Sequence, residues 1–138
     1  MCIRDSVSRV IRVKQGANAP FVIVDAAMND LLRPSLYDAY HAIEAVQPTG
    51  QRETVNVVGP VCETGDTFAT GRTMDHVAAG DLVAFRTAGA YAASMSSTYN
   101  SRALTPEVLV SGDRFAVVRE RPSIRSMVEA DVLPDWLA

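Results

Sequence analysis

Short strand-like runs bounded by turn signals, among them Gln15–Pro20, Pro48-Thr-Gly50 and Ser111-Gly-Asp113, recur along this chain. Val7–Lys14 alternates, with Arg9, Ile11 and Val13 on one side and Val10, Arg12 and Lys14 on the other. That pattern predicts a strand with one mostly polar face. Gln15–Pro20 is a turn, and Phe21–Ala26 is a near-continuous apolar run, predicting a strand buried on both faces and paired with the first as a hairpin. Ala42–Val46 and Glu53–Val58 are two more strands around the Pro48-Thr-Gly50 turn, and Leu82–Thr87 follows Gly80-Asp81. Glu107–Val110 and Arg114–Arg119 flank Ser111-Gly-Asp113, a strong hairpin signal. Helical material is brief. Pro34 can open one turn that presents Arg33 and Tyr37 on the same side. Ala88–Ser97 is a tight turn into a short helix, and Ser123 is positioned to cap a C-terminal helix carrying Ile124, Met127 and Val128. The expected fold is mainly β, a barrel or sandwich of about seven strands with short helices.

Charge and residue usage exclude several functions. The formal net charge is −3, so no basic excess offers a surface for nucleic acid. There is no C-x-x-C pair, H-E-x-x-H motif or Cys/His cluster, which argues against a metal site. Nothing resembles a disulfide framework, and this fits a reducing, cytoplasmic setting. No apolar run approaches the ~20 residues of a membrane span, and no signal-peptide core is present. Residues 1–6, Met-Cys-Ile-Arg-Asp-Ser, share no pattern with the rest of the chain. They read as a non-native leader, with Cys2 uninformative and the domain occupying residues 7–138.

Three stretches carry chemistry-bearing residues where loops or strand ends are expected. In Arg33-Pro-Ser-Leu-Tyr37, an arginine beside a tyrosine could grip a carboxylate through a bidentate pair and a phenol hydrogen bond. The ordinary alternative is a surface arginine and a half-buried tyrosine. In Gly59-Pro-Val-Cys-Glu-Thr-Gly-Asp66, Cys62 stands next to Glu63. A carboxylate beside a thiol favours its protonated form, so a proton donor is a better reading than a nucleophile. The ordinary alternative is a cysteine packed as a small hydrophobe. In Thr87-Ala-Gly-Ala-Tyr91, small residues permit close approach of a ligand, and the phenol can bond a phosphate or carboxylate. The ordinary alternative is a tight bend beside a packed aromatic. His41 and His76 read as surface or helix-end residues, and Lys14, the only lysine, as a solvated side chain on a strand. No Gly-x-Ser-x-Gly elbow, Gly-x-Gly-x-x-Gly or Walker A stretch occurs.

Taken in order, Phe21–His41, Gly59–Asp66, Ala88-Gly-Ala-Tyr91, Tyr99-Asn-Ser-Arg102 and Pro106–Val110 closely resemble the C-terminal domain of the diaminopimelate decarboxylase family. The resemblance runs from about residue 7 to the end of the chain. It implies a fold-type III, alanine-racemase-like enzyme that uses pyridoxal 5'-phosphate. In such enzymes an N-terminal (β/α)₈ barrel holds the cofactor on a lysine, a C-terminal β-domain completes the site, and a homodimer shares its active sites. A barrel of that kind needs about 250 residues, so the chain corresponds to the β-domain alone. Lys14 lies outside every matched motif, and no Schiff-base lysine is expected here.

The resemblance also implies roles. Arg33 and Tyr37 would hold the distal carboxylate of diaminopimelate, and Glu63 its distal amino group. Cys62 would reach into the partner subunit's site and protonate the α-carbon after carbon dioxide leaves. Tyr91 would contact the cofactor or its phosphate, and the product would be L-lysine. Alone, the chain is expected to be inactive. Two positions depart from the family pattern: Thr64 replaces a common serine, and Thr87 stands where many members have aspartate. Alternative readings are a related decarboxylase acting on arginine, ornithine or carboxynorspermidine, a β-domain that only binds a protein partner, and a small-ligand barrel.

Overall fold

The computed structural model describes residues 4–137; Met1, Cys2 and Ile3 of the expected leader lie outside the described residues. The chain forms two compact units, divided between Ser96 and Ser97. The first holds six strands: β1 (Ser6–Lys14), β2 (Phe21–Val24), β3 (Ile43–Ala45), β4 (Arg52–Val58), β5 (Thr67–Asp75) and β6 (Leu82–Phe85). It also holds two short helices, α1 (Arg33–Tyr37) and α2 (Gly89–Ser94).

The strands make one sheet in the order β3-β6-β1-β2-β4-β5. Only β2 and β4 run parallel; the other pairs are antiparallel. The expected β1–β2 hairpin is present. The strands on either side of Pro48-Thr-Gly50 are not neighbours, because β3 pairs with β6 while β4 lies between β2 and β5. The two edge strands, β3 and β5, come back against each other, so the sheet curls into a nearly closed barrel. Arg72 of β5 fastens this seam. Its Nη1 donates to the His41 carbonyl at 2.7 Å, and its guanidinium lies 4.1 Å from the centroid of the Tyr40 ring.

The barrel interior is mostly valine. Val10, Val22, Val24, Val55, Val57 and Val83 are fully buried together with Met74 and Phe85, and Phe85 packs against Phe68 with ring centroids 4.7 Å apart. Each such side chain contributes about 1.5–3 kcal/mol relative to exposure. Two sequence expectations change here. In β1 the register shifts between Val10 and Arg12, so Ser8 and Val10 face inward, Ile11 is exposed, and Val13 turns partly back in. A β-bulge breaks strict alternation in this way. In β2 only Val22 and Val24 are buried, with Phe21 exposed, so the strand is covered on one face rather than two.

Residues 4–6 belong to the folded unit. Ser6 opens β1 opposite Phe85, and the Arg4 carbonyl accepts from the Gly89 N–H at 3.0 Å. The Asp5 carboxylate takes Arg86 Nη1 at 2.8 Å through one oxygen and the Thr87 N–H at 2.8 Å through the other. Arg86 Nε also donates to Glu44 at 2.7 Å. His41 is buried, not at the surface as expected, with Nδ1 3.1 Å from the Arg86 carbonyl. His76 is exposed beside Glu53, and Lys14 is exposed, both as expected.

The second unit is a two-stranded ribbon, β7 (Glu107–Ser111) and β8 (Arg114–Arg119), followed by α3 (Ile124–Val128). Ser123 caps α3 as expected, its Oγ accepting from the Ser126 N–H at 3.0 Å. Such a cap stabilises a helix by about 1 kcal/mol. Val108, Leu109, Val110, Phe115, Val117 and Val118 are all exposed, so the ribbon shows apolar side chains on both faces.

Candidate functional site

The three chemistry-bearing stretches lie far apart in sequence, and α1 brings them together. Pro34 sits in its first turn, as expected, and Asp38 ends it in the left-handed conformation (φ 52°). Arg33 starts this helix, and Tyr37 ends it one turn on, exposed. From α2, Tyr91 reaches the same place: the Arg33 guanidinium carbon lies 4.9 Å from the centroid of its ring. A cation over a tyrosine face is worth about 0.5–1 kcal/mol at an exposed position. Tyr91 is itself 57% exposed, leaving its phenol accessible.

The 59–66 loop meets the other side of α1. A Cβ at Gly65 would lie 2.8 Å from Ser35 Oγ, closer than real Cβ contacts come, so glycine lets the loop sit directly on the helix. Cys62 is a free, exposed thiol, and Glu63 beside it is also exposed. The loop is wound by its own backbone. Gly59 N–H donates to the Asp66 carbonyl at 2.9 Å, Asp66 N–H to the Glu63 carbonyl at 3.0 Å, and Glu63 N–H to the Val61 carbonyl at 2.8 Å. The Asp66 side chain is buried underneath. One carboxylate oxygen accepts from the Val61 N–H at 2.7 Å, and the other from the Met28 N–H at 2.7 Å.

All five residues singled out from the sequence, Arg33, Tyr37, Cys62, Glu63 and Tyr91, therefore lie on three adjoining segments. The sequence reading missed Ser35 and Gly65, which join helix to loop, and Asp66, which fixes the loop from below. Small residues and an aspartate at a loop end were the only signals, and they are common in any loop. Arg33 Nε is buried with no hydrogen-bond acceptor among the described residues. A buried donor left unpaired is costly, and a ligand carboxylate would satisfy it. Among the described residues no group of three or more His, Cys, Asp or Glu could hold a metal ion.

A barrel-like sheet with a cysteine–glutamate loop, an arginine–tyrosine helix and a second short helix bearing Tyr91 defines a class. Residues 6–89 match the family model described as the pyridoxal-dependent decarboxylase, C-terminal sheet domain, and the chain belongs to that family. Its relatives are more particular. The diaminopimelate decarboxylase of Zymomonas mobilis is 53% identical over 131 residues, which are 95% of this chain and 31% of that protein. A crystal structure of diaminopimelate decarboxylase from M. jannaschii superposes with a TM-score of 0.92 at 34% identity, covering 97% of this chain and 31% of that one. A second M. jannaschii structure, in complex with L-lysine, gives a TM-score of 0.91 at 34% identity, again over 97% of this chain and 31% of that one. The chain thus spans about a third of the length of the relatives it matches.

The family implies pyridoxal phosphate, and the residues present fit one edge of a site for it. The accessible Tyr91 phenol can donate to a phosphate or ring oxygen, and the Arg33 stack fixes its ring. Lys14 does not fit the role of a cofactor-binding amine. It is exposed at the end of β1, paired with Phe21, on none of the three converging segments.

Proposed function

We propose that this chain is the substrate-recognising, C-terminal domain of a pyridoxal-phosphate-dependent diaminopimelate decarboxylase, which converts meso-2,6-diaminopimelate to L-lysine and carbon dioxide. The observation that carries this reading is the position of α1, which touches the Cys62–Glu63 loop through Ser35 and Gly65 and Tyr91 of α2 through Arg33. A substrate with an amino-acid group at each end needs recognition at one end and chemistry at the other. Arg33 and Tyr37 suit a distal carboxylate, since a guanidinium fork and a phenol present convergent donors. Glu63 suits the distal ammonium. Cys62, exposed on the same loop, suits delivery of a proton to the α-carbon once carbon dioxide has left.

The bound cofactor supplies the electron sink for decarboxylation. This chain's residues would orient the substrate, hold its far end and supply the proton. Tyr91 would steady the cofactor or its phosphate. The remaining two thirds of such an enzyme would be a barrel domain carrying the Schiff-base lysine, in a homodimer whose partner subunit shares the site. The apolar faces of β7 and β8 are suited to burial against further protein. A cytoplasmic setting accords with this chemistry; among the described residues no helix is long and apolar enough to cross a membrane.

The test is a fusion of residues 6–138 to the N-terminal two thirds of the Zymomonas mobilis relative. Loaded with pyridoxal phosphate, it should form lysine from meso-diaminopimelate, while the 138-residue chain alone forms none. A folded, cofactor-loaded fusion without lysine formation would overturn the reading.

A further inference from the structure

We propose that Asp66 is a positioning residue: its buried carboxylate sets the Cys62–Glu63 loop in place relative to the Arg33 helix. The inference rests on the decarboxylase reading and deepens it. Asp66 is 2% exposed, yet its two carboxylate oxygens face different segments. One takes the Val61 N–H, immediately before Cys62, and the other takes the Met28 N–H, in the segment that leads into α1. That segment is itself ordered. Ala27 N–H donates to Asp30 Oδ2 at 2.9 Å, and Leu31 N–H to the Ala27 carbonyl at 3.2 Å, two residues before Arg33. Asp66 thus hydrogen-bonds both Val61, the neighbour of Cys62, and Met28, in the ordered segment that ends two residues before Arg33.

Gly59 provides an independent view of the same contact. A Cβ there would run into both Asp66 carboxylate oxygens, so only glycine leaves the carboxylate its place. Two substitutions, one on each side, should therefore act through one displacement. Asp66→Asn keeps the size but turns an NH₂ group toward a backbone N–H, losing one of the two bonds. Gly59→Ala keeps Asp66 but pushes it away.

Displacing a reacting group by about 1 Å can lower turnover 10²-fold. In the fusion enzyme, kcat per cofactor-loaded site should fall about 10–100-fold for Asp66→Asn and for Gly59→Ala. The double variant should be no worse than the poorer single, because both break one contact. In the 138-residue chain, whichever of the Met28 and Val61 amides then faces the NH₂ group should exchange hydrogen at least tenfold faster in Asp66→Asn. A residue needed only for folding would lower the yield of loaded enzyme but not kcat per loaded site. An active wild-type fusion with unaffected variants, additive losses, or unchanged exchange at Met28 and Val61 overturns this proposal alone. An inactive wild-type fusion overturns the decarboxylase reading and this proposal with it.

Discussion

The Arg33 guanidinium lies over the face of Tyr91, 4.9 Å from the ring centroid, and so ties α1 to α2. Arginine and ring should be energetically coupled. A double-mutant cycle with Arg33→Ala and Tyr91→Ala, read by chemical denaturation, should give a coupling of about 0.5–1 kcal/mol. Tyr91→Phe keeps the ring and should keep most of that coupling. Additive effects would mean that the contact contributes nothing to stability.

Cys62 should matter for turnover rather than affinity. In the fusion enzyme Cys62→Ala should lower kcat by about 10²–10⁴-fold with KM nearly unchanged, since a general acid acts in the transition state. Steady-state kinetics with meso-diaminopimelate decide this, and a kcat close to wild type would remove Cys62 from the chemistry.

Asp5 should make stability sensitive to acid. Burial pushes its carboxyl upward, but the hydrogen bonds from Arg86 and the Thr87 N–H, with the Arg86 charge, outweigh burial and hold it below its ordinary 3.8. A depressed carboxyl contributes stability above that ordinary value and loses it as the pH falls toward the folded value. Asp5→Asn should therefore melt lower than wild type at pH 6, and the gap should narrow below about pH 3.8. A gap that persists unchanged into acid would show that the charge is not involved.

Thr87 adopts φ 56°, in the left-handed region that β-branched residues avoid. Asparagine and aspartate tolerate this region better. Thr87→Asn should raise stability by about 0.5–1 kcal/mol, measured by urea denaturation. A loss of stability would indicate that the threonine side chain makes a compensating contact.

Local signals carried much of the fold. The first hairpin, the one-turn helix at Pro34, the Ser123 cap and the β7–β8 ribbon each follow from neighbouring residues, and all are present. Features that depend on distant partners were not legible. β5 went unread because Gly71 (φ 60°), the exposed Thr70 and irregular pairing with β4 blur its alternation. The β1 bulge depends on β2, and the barrel seam on Arg72 reaching His41. Asp5 was set aside because the first six residues show no pattern, yet pairing with Arg86 needs none. The candidate residues read as three separate motifs in the sequence; that α1 joins them is a fact of packing between segments distant in the chain.

On the proposed function, these segments recognise a substrate with a second amino-acid end. The most direct measurement is kcat/KM of the fusion enzyme for meso-diaminopimelate against ornithine, arginine and carboxynorspermidine. Sites built to pair a substrate's polar groups reject analogues lacking them by about 10⁴–10⁵. A preference for meso-diaminopimelate of at least about 10³-fold is expected, collapsing in Arg33→Ala and Glu63→Ala. Equal or better turnover of ornithine or arginine would contradict it.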